Sequence, residues 1–260
     1  MFEIIRKGCA DIRAGLGKRK VWLALAKEDV GDSHKRTRLG RVSLLLNYLL
    51  FVGTLLFVFG NNDPRYIIYL ACGLLVWNFV SETITLSVAL FFNEEAFIKG
   101  TVLPLSVYIM RHTMRVTIRA AYALIGAVAI VLYATGGTLS VGWLYAIPAM
   151  AWIVLTAPAV ATILGLLGVL MPDMNFFVQN IMRLAFFLTP VFWYPTGGRW
   201  RDLLYAWNPF THYVDIFRQP IMTDTIPLHS WAVCLAATTL MWIVAVALLG
   251  FYRKKIVFLL

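Results

Sequence analysis

Six stretches of this chain stay apolar over lengths that match the hydrocarbon core of a bilayer, and that constrains the fold more than any other feature. A helix needs roughly 20 consecutive apolar residues to cross about 30 Å of hydrocarbon. The stretches cover residues 42–60, 67–92, 116–134, 141–170, 176–194 and 230–252. The first, fourth and sixth carry no charge; Glu82, Arg119 and Arg183 each interrupt one of the others. Composition agrees: 60% of residues are hydrophobic and 14% charged, with mean hydropathy +0.76, where a soluble domain is about a quarter charged. In lipid each backbone N–H and C=O must be paired within the protein, so apolar spans are helices unless a closed barrel forms. The predicted fold is an all-α integral membrane protein. An N-terminal arm (1–41) precedes a six-span domain (42–260), and Pro148 and Pro158 kink the long fourth span.

Lys and Arg set the orientation. Eleven of the 23 lie in the first 41 residues; Lys99, Arg111, Arg115, Arg253, Lys254 and Lys255 fall on the same side. The opposite side holds Arg65, Arg199, Arg201 and Arg218. Both termini are therefore expected in the cytoplasm. The net charge of +10 reads as topology and attraction to anionic lipid, with no nucleic-acid motif beside it. No cleavable signal peptide is expected, since apolar sequence starts only near residue 42. VWLALAKEDVGDSHKRTRLG (21–40) opens with Trp22, Leu23 and Leu25 and ends in bases, a pattern that suits a helix in the membrane interface. Cys9, Cys72 and Cys234 lack metal or redox spacing and read as buried small hydrophobes.

The sequence is poor in catalytic signals. GLGKRK (15–20) lacks the spacing and the Ser/Thr of a phosphate loop, and no nucleophile elbow, zinc helix or paired-cysteine site appears. His34, His112, His212 and His229 are scattered. His212 and Asp215 share a helix face, which admits a general-base site, and Arg218 turns the same residues into an ion-pair network. Their segment, WNPFTHYVDIFRQPIM (207–222), reads as a short amphipathic helix capped by Asn208, with Pro209 in its first turn. Phe210, Tyr213, Val214, Phe217 and Ile221 form its apolar face, and Pro220 stops it at about Gln219. Glu82 in mid-span calls for a partner, either Arg119 or Arg183, or a hydrated path. Gln179 and Asn180 lie near Arg183. Arg111, Arg115 and Arg119 form one basic stripe that suits an anionic head group or a snorkelling role. FNEEAFIKGTVLP (92–104) reads as a short amphipathic helix offering Phe97 to a partner groove.

Taken in order, these residues resemble the permease subunits of type-2 ABC exporters, in the branch that exports O-antigen and capsule-type polysaccharides. The marks are KEDVGDSHKRTRLG, LACGLLVWNFV (70–80), EAFIKGTVLPLSVYIMR (95–111), TPVFWYP (189–195), NPFTHYVDIFRQP (208–220) and the basic YRKKI (252–256), and they run almost end to end. The resemblance implies a homodimer in the bacterial inner membrane, two copies of a separate cytoplasmic ATPase, and an undecaprenyl-pyrophosphate-linked glycan as substrate. It implies no cofactor on this chain, with ATP and magnesium in the ATPase, and membrane lipids but no nucleic acid as further partners.

By the same resemblance, Glu94, Glu95, Phe97 and Lys99 would dock the ATPase. Asp173 would be a second contact, though Met171 and Pro172 stand where the family often carries a basic residue. Trp22, Lys35, Arg36, Arg38, Arg111 and Arg115 would flank the point where substrate enters. Tyr48, Trp77, Phe79, Glu82, Arg183, Phe187, Phe192, Trp193 and Tyr194 would line the channel, its aromatic faces sliding along sugar rings. Two short re-entrant helices would sit between the fifth and sixth spans, with His212, Asp215 and Arg218 at the channel's exit rim. Alternatives are a permease of the same class for teichoic acid, a lipid or a drug, a membrane transferase using His212 and Asp215, and a scaffold or passive channel.

Overall fold

The computed structural model describes residues 2–35, 40, 42–60, 63–138, 140–195, 198–253 and 255–260, with the backbone alone for 32–35. Among them all regular structure is helical. Helices α1 (Phe2–Gly17) and α2 (Arg19–Lys35) form the arm. Then come α3 (Val42–Phe59), α4 (Pro64–Ser87), the short α5 (Leu90–Asn93) and α6 (Glu95–Gly100), α7 (Leu105–Ala134) and α8 (Gly142–Leu170). The chain finishes with α9 (Met174–Leu188), α10 (Arg199–Trp207), α11 (Pro209–Thr223), α12 (Leu228–Tyr252) and α13 (Ile256–Leu259).

Among the described residues, five helices are long and apolar enough to cross a bilayer: α3, α4, α7, α8 and α12. The fifth predicted span is shorter. Helix α9 has 15 residues, about 22 Å at 1.5 Å per residue. It ends because Pro190 drives Thr189 into an extended conformation (φ −95°, ψ 135°). Helix α7 exceeds its prediction, beginning at Leu105 rather than at residue 116.

The helices assemble around α4, whose Leu70–Trp77 stretch is buried. Helices α3 and α12 leave Leu50, Phe57, Leu240 and Ile243 exposed, the surface expected of helices bathed in lipid. Trp152 Nε1 of α8 donates to Thr238 Oγ1 of α12 at 3.2 Å, and Trp242 Nε1 donates to the Leu155 carbonyl at 3.1 Å. Moving forward along α8 thus moves forward along α12, so these neighbours are parallel. Residues 171–227 connect the end of α8 to the start of α12.

Two expectations are corrected here. Helix α11 does not stop at Gln219 but runs through Pro220 to Thr223. It closes at Asp224, in the left-handed conformation (φ 54°), whose N–H donates to the Pro220 carbonyl at 2.9 Å. Asp224 Oδ1 in turn accepts from the Gly142 N–H at 2.6 Å, capping the start of α8 and fixing the end of α11 to it. Gly142 has to be glycine, since a Cβ there would collide with the Pro220 carbonyl. Nor is α11 amphipathic on a surface: Thr211–Arg218 is buried on all sides among α4, α8 and α12. The N-cap expectation holds, with Asn208 Oδ1 accepting from the Phe210 N–H at 2.9 Å.

Helix α1 had no counterpart in the sequence reading. It lies across the ends of α7 and α12. A Cβ on Gly8 would collide with the Val246 carbonyl of α12, so this crossing requires glycine. Asp11 Oδ1 accepts from the Ser106 N–H at 3.0 Å, and Ser106 Oγ donates to the Asp11 carbonyl at 2.7 Å. Helix α7 has no cap of its own, and Asp11 supplies one from 95 residues away. Cys72 and Cys234 are buried as expected, but Cys9 is exposed, because Gly8 and Asp11 take the buried face of α1.

Candidate functional site

One side of α4 carries polar residues into the open. Asn78, Ser81, Glu82 and Thr85 recur at helical spacing and line two adjoining hollows of about 580 and 640 Å³. The first lies between α3, α4 and α7 and includes Asn47, Tyr48, Phe79 and Arg119. The second lies between α4 and α9 and includes Trp77, Asn93, Asn175, Gln179, Arg183 and Phe187. The hollows share Phe51, Asn78, Ser81, Thr85 and Leu86, so they form one lane. Glu82 Oε1 meets Arg119 Nη1 at 2.8 Å, which decides between its two candidate partners. Arg183 is exposed in the lane. The other side of α4 faces an apolar cavity of about 340 Å³, walled by Val80, Ile84, Ile153, Leu164, Met182 and Phe210.

The aromatic residues expected along a channel divide into two groups. Tyr48, Trp77 and Phe79 are buried. The Tyr48 hydroxyl donates to the Ala71 carbonyl at 2.7 Å, fastening α3 to α4. Trp77 packs between Phe186 and Phe210. Phe187, Phe192, Trp193 and Tyr194 instead border an open groove of about 560 Å³ with Phe59, Tyr66, Arg201 and Leu204. Trp193 Nε1 donates to the Phe187 carbonyl at 3.0 Å, and Tyr194 packs on Tyr69 with ring centroids 4.3 Å apart and the planes tilted by 46°.

The strap Thr189–Tyr194 is irregular backbone, whose carbonyls need partners at this depth. Tyr66 Oη donates to the Phe192 carbonyl at 2.8 Å. The Tyr69 hydroxyl lies between the Pro190 and Trp193 carbonyls at 2.7 and 2.8 Å. Arg218 Nη1 donates to the Pro190 carbonyl at 2.7 Å.

Arg218 also anchors the cluster expected at an exit rim, and here the expectation is corrected. His212, Asp215 and Arg218 are 4%, 1% and 2% exposed, so they point into the protein. Arg218 Nη2 donates to Asp215 Oδ1 at 2.7 Å, and its guanidinium lies 3.7 Å from the centroid of the Tyr69 ring. The Tyr205 hydroxyl donates to Asp215 Oδ2. His212 has separate partners, Ser230 Oγ at 3.1 Å and the Ala206 carbonyl at 3.2 Å. Desolvating a charge requires a paired counter-charge and filled hydrogen bonds, and both are present. The polar residues of α11 are a lock among α4, α10 and the strap.

At the end of the bundle that carries the termini, Arg111 corrects a second expectation. Its Nε and Nη2 donate to the two oxygens of Asp29 at 2.8 and 2.7 Å, and Nη1 donates to Glu94 Oε2 at 2.6 Å. Committed to two carboxylates, Arg111 is not an open phosphate site. Arg115 Nη2 sits 3.3 Å from His112 Nδ1, and Ser87 Oγ lies 3.2 Å from His112 Nε2. Trp22 is half-buried on α2; Lys35 is the last residue of that helix, and Arg36 and Arg38 lie outside the described residues.

The short helix expected in 92–104 forms as α6. Glu95 and Lys99 pair at 2.6 Å on its exposed face, Phe97 is 50% exposed, and Glu94 turns inward to Arg111. Burial raises the Glu94 carboxyl above its ordinary 4.5, outweighing the opposite pull of Arg111. Asp173 is exposed at the head of α9.

Of the residues expected along a channel, Glu82, Arg183, Tyr48, Trp77, Phe79 and Phe187 border the lane, together with Asn47, Asn78, Ser81 and Thr85, which the sequence did not single out. The spacing of 78, 81, 82 and 85 inside an apolar span was the available signal. For Asp29, Tyr66 and Tyr69, which bond across long sequence separations, there was none.

The geometry therefore offers a polar lane along an otherwise apolar bundle. Comparison with known proteins points the same way. The profile of the ABC-2 type transporter family matches residues 25–222. Two relatives, each an O-antigen export system permease protein RfbA from Klebsiella pneumoniae, are 25% and 24% identical over 214 residues. Each alignment covers 78% of this chain and 81% of the relative. This multi-pass membrane chain belongs to the ABC-2 type transporter family, as a permease subunit.

Proposed function

We propose that the chain is the channel-forming permease of an ATP-driven exporter that moves a lipid-linked polysaccharide, of O-antigen or capsule type, across the bacterial inner membrane. The observation that carries this reading is the lane along α4. Asparagine, serine, threonine, glutamine and arginine side chains suit sugar hydroxyls, and the bordering aromatics suit the apolar faces of sugar rings. In a bilayer such a surface must face water, substrate or protein. A second copy closing the open side yields a homodimeric channel. The similarity to O-antigen export permeases supports the glycan as cargo.

The rest of the chain fits this assignment. Because α8 and α12 are parallel, α9 with the strap makes a sixth crossing, its irregular part covered by Tyr66, Tyr69 and Arg218. Helices α10 and α11 form a re-entrant pair. Asn208, at their turn, reaches Thr189 Oγ1 at 2.8 Å, and Asp224 returns to the start of α8. The excess of Lys and Arg at the other end puts both termini in the cytoplasm. There Glu95, Phe97 and Lys99 on α6, together with Asp173 at the head of α9, dock a separate ATPase that binds ATP and magnesium.

The test is glycan export in cells expressing the permease with its ATPase. Asn78→Leu combined with Ser81→Leu should stop surface display while the two proteins still co-purify. Normal display from that variant would remove the lane from the transport path.

A further inference from the structure

Arg111 joins three segments that are distant in sequence. It stands near the start of α7. One edge of its guanidinium grips Asp29 of α2 with two hydrogen bonds, and the remaining nitrogen holds Glu94 at the head of α6. Its carbon lies 5.6 Å from the centroid of the Phe97 ring. The three charged side chains are only 12%, 18% and 13% exposed, so water screens them weakly. Helix α2 packs on α7, whereas α6 packs on α5 and α13. A second tie from α6 to α7, Thr101 Oγ1 to Tyr108 Oη at 2.9 Å, does not reach α2. Arg111 thus ion-pairs with both α2 and the α6 segment.

We infer that Arg111 is a positioning residue that makes α2 move in step with α6. This rests on the reading of α6 as the ATPase dock. A displacement of α6 then reaches the membrane-surface helix α2, and not only the spans continuous with it. A planar guanidinium bonded on several edges resists rotation against each partner, so it transmits displacement where a lone ammonium would pivot. Breaking either half of the clasp leaves ATP hydrolysis running while export falls. A fall of about tenfold lies within the usual range of coupling between sites.

The experiment uses the full permease–ATPase complex in lipid nanodiscs, in a Cys9→Ser background. Spin labels at Lys20→Cys on α2 and at Val102→Cys just after α6, both exposed, are measured against Tyr133→Cys at the far end of α7. ATP should change both distances in the parent. Asp29→Ala and Glu94→Ala should each abolish the 20–133 change and spare the 102–133 change. Each variant leaves Arg111 one carboxylate, so its guanidinium stays paired. No 102–133 change in the parent overturns the docking reading, and the inference with it. A 20–133 change that survives in both variants overturns the inference alone. So does loss of both changes in the variants, because the clasp would then serve docking rather than transmission.

Discussion

Two arginines organise this molecule, and the contrast between them shows how burial separates support from motion. Arg218 is fully enclosed, and each contact it makes, to Asp215, Pro190 and Tyr69, holds parts of one rigid region. Arg111 makes as many bonds but keeps some contact with water, and its partners sit on a surface helix and on a six-residue helix attached at its edges. An enclosed charge without a partner is too costly to allow release, so the Arg218 cluster is a fixed strut. The Arg111 cluster keeps 12–18% of its side-chain surface exposed and can take on water as it shifts, so it can join elements that move.

The contrast breaks most visibly at Arg218. Arg218→Ala leaves Asp215 buried and unpaired and should cost about 3–5 kcal/mol, read as a large drop in thermal unfolding temperature in detergent. An unchanged temperature would mean the strut carries no load. Arg111→Ala should destabilise less, by about 1–2 kcal/mol, because its partners regain water. Its main effect is expected on export per ATP hydrolysed, assayed in vesicles. Tyr205→Phe sharpens the comparison by removing a single bond from the strut: about 1 kcal/mol should be lost, with export otherwise retained. Lys99→Ala, on the exposed ion pair of α6, should alter stability by only a few tenths of a kcal/mol while weakening co-purification with the ATPase.

The smallest effect is pH-dependent. The Glu94 carboxyl is raised above 4.5 by burial, so the folded state holds its proton more tightly than the unfolded chain does. The stability this contributes is complete below pH 4.5 and is lost as pH rises through the raised value. Glu94→Gln should flatten that slope in thermal unfolding measured across the window, and an unchanged slope would assign it to another group.

Five of the six expected spans were legible because hydrocarbon thickness imposes a length that sequence records directly; the remaining one ends early, at Leu188. What α11 does was not legible. Its apolar face has helical spacing, but so does a helix buried on all sides, and only its neighbours α4, α8 and α12 distinguish the two cases. Pro220 misled for a related reason: a proline bars the bond from its own N–H, but the turn it weakens is held from outside by Gly142 and Asp224. The basic stripe on α7 was visible as a stripe, yet its members have different partners, Asp29 and Glu94, His112, and Glu82. Among these only Glu82 stood out in the sequence as a buried charge seeking a partner. Helix α1 was missed because its burial depends on Gly8 and Gly15, small residues that an apolar periodicity does not register.

The docking of α1 also bears on how the protein is made. Its crossing partner Val246 lies near the end of the chain, and Arg253 Nη1 donates to the Lys7 carbonyl at 3.2 Å across 246 residues of sequence. Helix α1 must therefore wait for α12 to be synthesised before it has its full seat, whereas Asp11 can meet Ser106 earlier. Until α12 arrives, the Gly8 face of α1 lacks its crossing partner Val246.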